Sequence, residues 1–477
     1  MAGFLLSIRP DGAAEVELLG QGLGMDVLVR REGSDVLVVQ GDRLTAEEPP
    51  VHAPFDALTA WAERAHSRYC AVLVREGRAT LWSDVGATSP LHWARSAGAL
   101  LVGTSAGAML PLLGAPAVLG DAERSLLPGG RFAGITAVPA NSAVTVVADA
   151  YGDTPVSVRR LAPLPDRPSE TDPDRAVRTV RRVLGEAVVR LAADADEIGV
   201  SLSGGVDSST VTALAVRELG APAVRTYTVG TPFGDEFEQA AWLAARLGTK
   251  HEEILFGPEQ LAAMLPGMIR ALETWDVLTL QIAAPACFLQ DHIATGDRRV
   301  LLSGYGADLL FAGLGGTGGE RAVEAAVVAQ TFATARSNEF HPAFADARHA
   351  AVRHPYWTRE VMTAALDIRG RLKVHEGTAK WVLRSAAADV LPAEVAWRPK
   401  RGIHEGTAMS RMFAAALGSE EPAVQARMLR DMATEIFRDG GSGAVPGSGA
   451  GARLDDGAVP AAGADDTMRD RRQGGTR

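Results

Sequence analysis

The sequence predicts an α+β chain of two domains, a β-sandwich followed by an α/β domain on a parallel sheet. Three observations predict it. Seven short strand-like runs crowd the N-terminal third with hardly a helix among them. A stretch rich in proline and charge follows, Arg160-Leu-Ala-Pro-Leu-Pro-Asp-Arg-Pro-Ser-Glu-Thr-Asp-Pro173. Beyond Asp196, apolar strands alternate with helical patterns, as in a parallel sheet with helices on both faces.

The N-terminal runs are Phe4–Ile8, Val27–Val29, Val36–Val39, Ala71–Val74, Ala79–Trp82, Leu100–Val102 and Val144–Val147. Polar residues or glycines separate them, which fits two packed sheets. One helical pattern, about Ala57 to Ala65, interrupts them. The proline-rich stretch reads as the linker, so the domains span 1–165 and 166–438. A helix then runs from Pro173 to Leu191, capped by Thr171 or Asp172, with Val180, Leu184, Val188 and Leu191 on its apolar face. Next come a strand at Ile198–Leu202, a helix stopped by Gly220, a strand at Thr226–Val229, a helix at Phe237–Leu247 and a strand at Glu252–Phe256. Leu261–Leu272 and Pro285–Ile293 read as helices and Val300–Leu302 as a strand. Helices dominate from Glu320 to about Phe437. Residues 439–477 have almost no large apolar groups and are expected to be disordered, because they bury too little surface to offset their ordering entropy.

With 477 residues and 47% apolar composition, the chain can bury sizeable cores. A net charge of −10 argues against nucleic acid as the main partner. No run reaches the roughly 18 apolar residues of a membrane span. The opening Met-Ala-Gly-Phe-Leu-Leu-Ser-Ile-Arg lacks a basic n-region, so no membrane partner and a cytoplasmic location are expected. Cys70 and Cys287 are far apart and fit unpaired thiols in a reducing compartment.

The chemistry concentrates in Val200-Ser-Leu-Ser-Gly-Gly-Val-Asp-Ser-Ser209, a strand end, a turn of small residues and a helix start. Ser203, Gly204 and Gly205 let the backbone approach a ligand, and their N–H groups with the helix N-terminus can nest an anion. Asp207 would repel a phosphate there unless a divalent cation lies between them. The Gly-Lys-Ser/Thr ending of a Walker A loop is absent. A second strand end, Ser303-Gly-Tyr-Gly-Ala-Asp308, supplies another carboxylate. Ligands of such sheets bind beyond the carboxyl ends of the strands. Gly313-Leu-Gly-Gly-Thr-Gly318 matches a dinucleotide fingerprint by letter only. No strand–turn–helix unit frames it, so it reads as a flexible segment near the site.

Ser203-Gly-Gly-Val-Asp-Ser208 resembles the pyrophosphate-binding loop of enzymes that split ATP between the α and β phosphates. With Tyr227-Thr-Val-Gly230, Asp235-Glu-Phe237, Ser303–Asp308, Lys380-Trp-Val-Leu-Arg384, Leu391-Pro392 and Arg398-Pro-Lys-Arg-Gly-Ile-His-Glu-Gly406, it resembles the synthetase domain of class B asparagine synthetases. Asp84-Val-Gly-Ala-Thr-Ser-Pro90, Gly103-Thr-Ser-Ala-Gly107 and the segment around Val138-Pro139-Ala140 resemble their glutaminase-type domain. The resemblance covers nearly all of the chain except the tail. It implies a glutaminase-like, Ntn-type β-sandwich and a PP-loop ATP-pyrophosphatase-like α/β synthetase domain. The family's glutaminases use an N-terminal cysteine. Residue 2 here is alanine and the first cysteine is Cys70, so the first domain is expected to be inactive. His354-Pro-Tyr-Trp357, Asn338-Glu339, Arg398-Pro-Lys400 and Gly402-Ile-His-Glu-Gly406 are similar to the ring-closing branch, the β-lactam and carbapenam synthetases.

The resemblance further implies ATP and Mg²⁺ as cofactors, a small amino diacid as substrate, and a homo-oligomer, either a dimer or a tetramer. Asp207 and Asp308 would hold Mg²⁺. Ser203, Gly204, Gly205, Ser208 and Ser209 would bind pyrophosphate. Leu202, Val229, Gly230 and Gly304 would flank the nucleotide. Tyr305 would be the general base, relayed to Glu339. Lys400, aimed by Pro399, would stabilise the pyrophosphate and the developing oxyanion. Lys380 and Arg384 are second-tier phosphate candidates. Each has a structural alternative: sheet core for Leu202 and Val229, a helix cap for Asp207, a turn for Asp308, a buried phenol for Tyr305 and solvated charges for Glu339 and Lys400. In the clavam-type branch a carboxylate facing a substrate guanidinium is expected at the position held here by Gln330. A neutral amide pairs poorly with that cation. The position, together with Trp275-Asp276 and Gln281, points to carboxymethylproline and a carbapenam synthetase of carbapenem antibiotic biosynthesis. The alternatives are a clavam-type β-lactam synthetase, an asparagine synthetase-like amidotransferase, a lasso-peptide cyclase and a non-catalytic nucleotide sensor.

Overall fold

The computed structural model describes residues 3–19, 26–41, 55–65, 68–114, 132–147, 156–161, 164–165, 167–293, 299–314, 318–334, 350–399 and 402–438. Ala2, Asn338, Glu339, Lys400 and the tail 439–477 lie outside these residues.

The first sheet contains β1 (Phe4–Ile8), β2 (Ala14–Leu18), β7 (His92–Arg95), β8 (Leu100–Gly103) and β9 (Ile135–Ala137) in the order β2-β1-β8-β7-β9. The second contains β3 (Asp26–Glu32), β4 (Asp35–Gly41), β5 (Tyr69–Arg75), β6 (Arg78–Ser83), β10 (Ser142–Val147) and β11 (Val156–Arg160) in the order β11-β10-β6-β5-β4-β3. Every pairing in both is antiparallel. Alternation decides what each face does. Phe4, Leu6 and Ile8 point into the sandwich and meet Val36, Val38, Val72, Val74, Leu81 and Val144. Leu37, Val39, Ala71, Leu73 and Trp82 point the other way and are covered by Leu58, Trp61 and Ala62 of the helix Phe55–Arg64. β4 and β5 are therefore buried on both faces, which is why they read as unbroken apolar runs. β2, β7, β9 and β11 escape the sequence reading. They are short, and β2 carries Glu15 and Glu17 on its outer face.

Among the described residues, the second domain has a sheet of five parallel strands, β12 (Ile198–Ser201), β13 (Val224–Gly230), β14 (Lys250–Leu255), β15 (Arg299–Leu302) and β16 (Ala350–Arg353), in the order β14-β13-β12-β15-β16. The helix Pro173–Ala192 begins at Asp172, whose Oδ1 accepts the Arg175 N–H at 3.0 Å. Its Val180, Leu184 and Val188 pack with Val200, Val300 and Leu302 of the sheet. The helix Val206–Leu219 follows β12, and the helix Phe237–Leu247 follows β13. One sequence expectation changes. The helix read from Pro285 begins at Val277, with Pro285 inside it, because its apolar residues surround the helix instead of marking one face. Helices dominate the described residues after Glu320, as expected, and β16 adds an edge strand among them. Arg353 ties that strand down, donating to Asp194 Oδ1 and Oδ2 at 2.5 and 2.8 Å and to the Leu191 carbonyl.

The chain order runs outward from β12 through β13 to β14, then returns to the other side of β12 with β15. In parallel sheets such a reversal is where ligands bind, beyond the carboxyl ends of the strands, here those of β12 and β15. The outer face of the first sheet also packs against the second domain. Leu5, Leu101, Met109 and Phe132 share one core with Met268, Trp275, Phe413 and Phe437. No helix among the described residues is long and apolar enough to cross a membrane.

Candidate active site

The loop after β12 is pinned before it turns. Leu202 donates its N–H to the Tyr227 carbonyl at 2.8 Å, and its own carbonyl accepts the Thr228 hydroxyl at 2.5 Å. The Leu202 side chain lies in a core with Val206, Ala213 and Leu243. Gly204 then takes φ +69°. A Cβ there would stand 2.9 Å from the Gln239 Cβ and 3.1 Å from Arg398 Nη1, so both the turn and the space require glycine. The loop closes on its own serines. Ser208 Oγ accepts the Ser203 N–H at 3.0 Å and lies 3.1 Å from Ser203 Oγ. Among the described residues no side chain caps the Val206–Leu219 helix, which leaves its first N–H groups facing the loop. Ser209 is fully buried, and its Oγ has no hydrogen-bond partner.

The second loop is pressed against the first. A Cβ on Gly304 would meet Ser208 N at 2.6 Å and the Asp207 carbonyl carbon at 2.9 Å. Gly306, at φ +96°, turns the chain into the short helix Ala307–Leu310, which carries Asp308 in its first turn. Lys380 joins the two carboxylates. Its Nζ is 2.5 Å from Asp207 Oδ2 and 2.6 Å from Asp308 Oδ1. Gly313 closes over them, since a Cβ there would lie 2.1 Å from Asp308 Oδ1 and 2.2 Å from Lys380 Cε. Tyr356 donates its hydroxyl to the Asp207 carbonyl at 3.1 Å.

Burial raises the pKa of Asp207. Lys380 pulls it down and Asp308 pushes it up, and the net direction is upward. Burial alone would lower Lys380, but Asp207 and Asp308 more than offset it and hold the ammonium above its ordinary value. Asp207 Oδ1 is buried and has no hydrogen-bond partner. An orphaned carboxylate oxygen in a site that holds a second carboxylate is the chemistry a divalent cation fits. No third His, Cys, Asp or Glu completes a cluster among the described residues, so phosphate and water would supply the remaining ligands.

Gly230 ends β13 with Phe237 and Asp235 against it; a Cβ would stand 2.5 Å from Phe237 Cζ and 2.7 Å from Asp235 Cβ. Val229 packs in the core that contains Tyr227, Ile254 and Phe256. Tyr305 is half-buried and donates its N–H to Ser303 Oγ at 3.2 Å. Ser303 Oγ shares a 2.7 Å hydrogen bond with His354 Nδ1, and the Tyr305 and His354 rings lie 5.8 Å apart. Thus Ser203, Gly204, Gly205, Asp207, Ser208, Gly304 and Asp308 come together, with Tyr305 on the second loop. The Leu202 and Val229 side chains are packed in cores, and Ser209 is buried at the start of the helix after the loop. The positions of Glu339 and Lys400 lie outside the described residues.

Sequence reasoning ranks Lys380 too low and gives His354 no role. It also reads Arg384 as a phosphate candidate. Arg384 instead donates Nε to the Ala379 carbonyl at 3.0 Å and Nη1 to the Ala396 and Arg398 carbonyls at 2.8 Å. Arg398 in turn donates to Glu236 Oε1 at 3.1 Å, beside Gly204. In the sequence only proximity to Lys380 and to Pro399 marks these arginines. Both cysteines are buried, and neither forms a disulfide among the described residues. Burial, followed by the Asp84 carboxylate, pushes the Cys70 thiol far up, which leaves it inert as a nucleophile.

Residues 179–340 and 339–439 match the family model described as asparagine synthase. The chain is 34% identical over 350 residues to the carboxyethyl-arginine beta-lactam-synthase of Streptomyces clavuligerus, covering 72% of this chain and 65% of that protein. It is 27% identical over 234 residues to the glutamine-hydrolyzing asparagine synthetase B of Escherichia coli (strain K12), covering 44% and 42% of the two chains. It is 28% identical over 245 residues to the glutamine-hydrolyzing asparagine synthetase of Gallus gallus, covering 49% and 44%. The matches thus span between 42% and 65% of these relatives' own length.

Proposed function

The chain belongs to the asparagine synthase family, and from that premise we propose that it is an ATP-dependent ligase closing a lactam within an amino diacid. One carboxylate of the substrate attacks the α-phosphate of ATP, giving an acyl-adenylate and pyrophosphate. The amine of the same molecule then attacks the acyl carbon, and AMP leaves. The observation that carries the ATP-dependent half is the Asp207–Lys380–Asp308 cage beside an uncapped helix start, at the sheet's switch point.

Mg²⁺, held by Asp207 and Asp308, would neutralise charge on the phosphates. The N–H groups around Ser203–Gly205 would hold the departing pyrophosphate. Tyr305 would remove the amine proton, its loop held by Ser303 and His354. Glu339 as proton relay and Lys400 as oxyanion partner come from the resemblance alone. Holding both ends of one substrate together supplies proximity, and excluding water preserves the adenylate.

Two observations support an amine inside the substrate over ammonia from glutamine. The 34% likeness is to a lactam-forming enzyme. The two cysteines of this sequence are both buried, so neither is placed as a glutaminase nucleophile. The same relative supports a carboxyethyl-arginine type of substrate first. Gln330, where a carboxylate would pair with the guanidinium, favours carboxymethylproline as the second reading. Incubation with ATP, Mg²⁺ and either diacid is expected to yield AMP, pyrophosphate and lactam in equal amounts. No AMP with either diacid would overturn the ring-closing reading, and asparagine from aspartate and ammonia would replace it with amide transfer.

A further inference from the structure

The Lys380 ammonium stands where the metal reading needs a cation, touching both carboxylates that a divalent ion would use. It is not a surface lysine folded inward by chance. The residue is 1% exposed and takes φ +60°, a conformation costly for any residue but glycine and held by its surroundings. The Ala379 carbonyl just before it is fixed by Arg384 at 3.0 Å, and Gly313 packs on its Cε. With the ammonium in place, one positive charge offsets two negative ones, and Asp207 Oδ1 is left without a hydrogen-bond partner. A divalent ion entering then would sit beside a fixed positive charge in a poorly solvated pocket, which repels it strongly. A polyphosphate changes the balance. Its oxygens would offer the ammonium new partners and so free Asp207 and Asp308 to hold the metal.

We propose that Lys380 is the resident counter-ion of the Asp207–Asp308 pair and makes divalent-cation binding there conditional on a polyphosphate. This rests on the ATP-dependent reading of the same site. It goes further in assigning the order of loading to one residue of this chain.

The test uses the full chain with Mn²⁺ as probe, bound ion being measured by equilibrium dialysis and electron paramagnetic resonance. In the unaltered protein, inorganic pyrophosphate is expected to tighten Mn²⁺ binding by about tenfold or more, and Mn²⁺ to tighten pyrophosphate by the same factor. Lys380→Met is expected to bind Mn²⁺ about tenfold tighter than the unaltered chain without pyrophosphate, and to lose most of the enhancement. Lys380→Arg keeps the charge and should stay weak. Adding Asp308→Asn to Lys380→Met should abolish the gain, which assigns the ion to this pair. Equal Mn²⁺ affinity of Lys380→Met and the unaltered chain without pyrophosphate overturns the proposal. So does an unaltered protein whose Mn²⁺ affinity ignores pyrophosphate, a measurement that needs no variant to fold. Conditional Mn²⁺ binding without AMP formation from any diacid keeps the counter-ion and removes the adenylating reading. AMP formation with unconditional Mn²⁺ binding does the reverse.

Discussion

Lys373 shows what burial does to a single charge in this fold. It is 1% exposed, and burial draws its pKa down to about 8, with Glu324 and Asp367 only partly opposing the shift. A free lysine titrates near 10.4. Between those values the unfolded chain binds more protons than the folded one, so stability rises with pH across that window. Below about pH 8 the folded chain bears the full cost of the buried ammonium. Glu324 stays paired without it, through the Gly370 N–H at 3.0 Å and Arg369 at 3.1 Å. Lys373→Met is therefore expected to raise stability at pH 7 by about 1–3 kcal/mol, with the gain shrinking toward pH 10. Thermal melts at a series of pH values check this, and a lower melting temperature at pH 7 would refute it. Tyr305→Phe tests the chemistry at the same scale. ATP–pyrophosphate exchange should persist, while lactam formation drops by about 10²–10⁴-fold. Lactam at the full rate would remove Tyr305 as base.

At the scale of elements, the site depends on two loops that touch through their backbones. The Ser203–Ser208 loop is legible in the sequence because its determinants are local: a strand, glycines where the chain turns, and a helix behind. The neighbouring loop is legible as a strand end, but its contact with the first is not. Gly304→Ala would put a Cβ 2.6 Å from Ser208 N, where no flexible side chain can give way. The loops must separate, so the KM for ATP is expected to rise by about tenfold or more, which equals about 1.4 kcal/mol or more of lost binding. Circular dichroism should stay unchanged. Gly98→Ala, with open space around the added carbon, should leave the KM alone. Equal KM values for both variants would show that the close approach is unimportant.

At the scale of the molecule, one carboxylate fastens the first domain to the second. Glu273 sits in the left-handed region at φ +51° and is almost fully buried. It accepts hydrogen bonds from Ser105 Oγ at 2.7 Å, Ala106 N–H at 3.2 Å and Gly107 N–H at 2.8 Å. Around it, Phe132 meets Phe437 edge-on at 4.9 Å and lies 6.0 Å from Trp275. Glu273→Ala would strand buried donors on the partner domain, at a cost of about 2–4 kcal/mol. Calorimetry should show a lower melting temperature or two separated transitions. An unchanged single transition would mean that the apolar contact alone joins the domains.

The sequence alone carries what is local. A cap at Thr171 or Asp172, the Phe237–Leu247 helix, the apolar runs that become β4 and β5 and the glycine-rich turn after β12 all follow from spacing and residue type. The cage does not. Lys380 meets Asp207 across 173 residues, and Asp308 joins them only because β15 returns beside β12. The backbone-bound role of Arg384 and the burial of Cys70 are decided in the same way, by which surfaces the sheets bring together. Periodicity reports which face of an element is apolar. It carries no information on which distant side chain will face it, and in this protein that pairing sets the charge balance of the site.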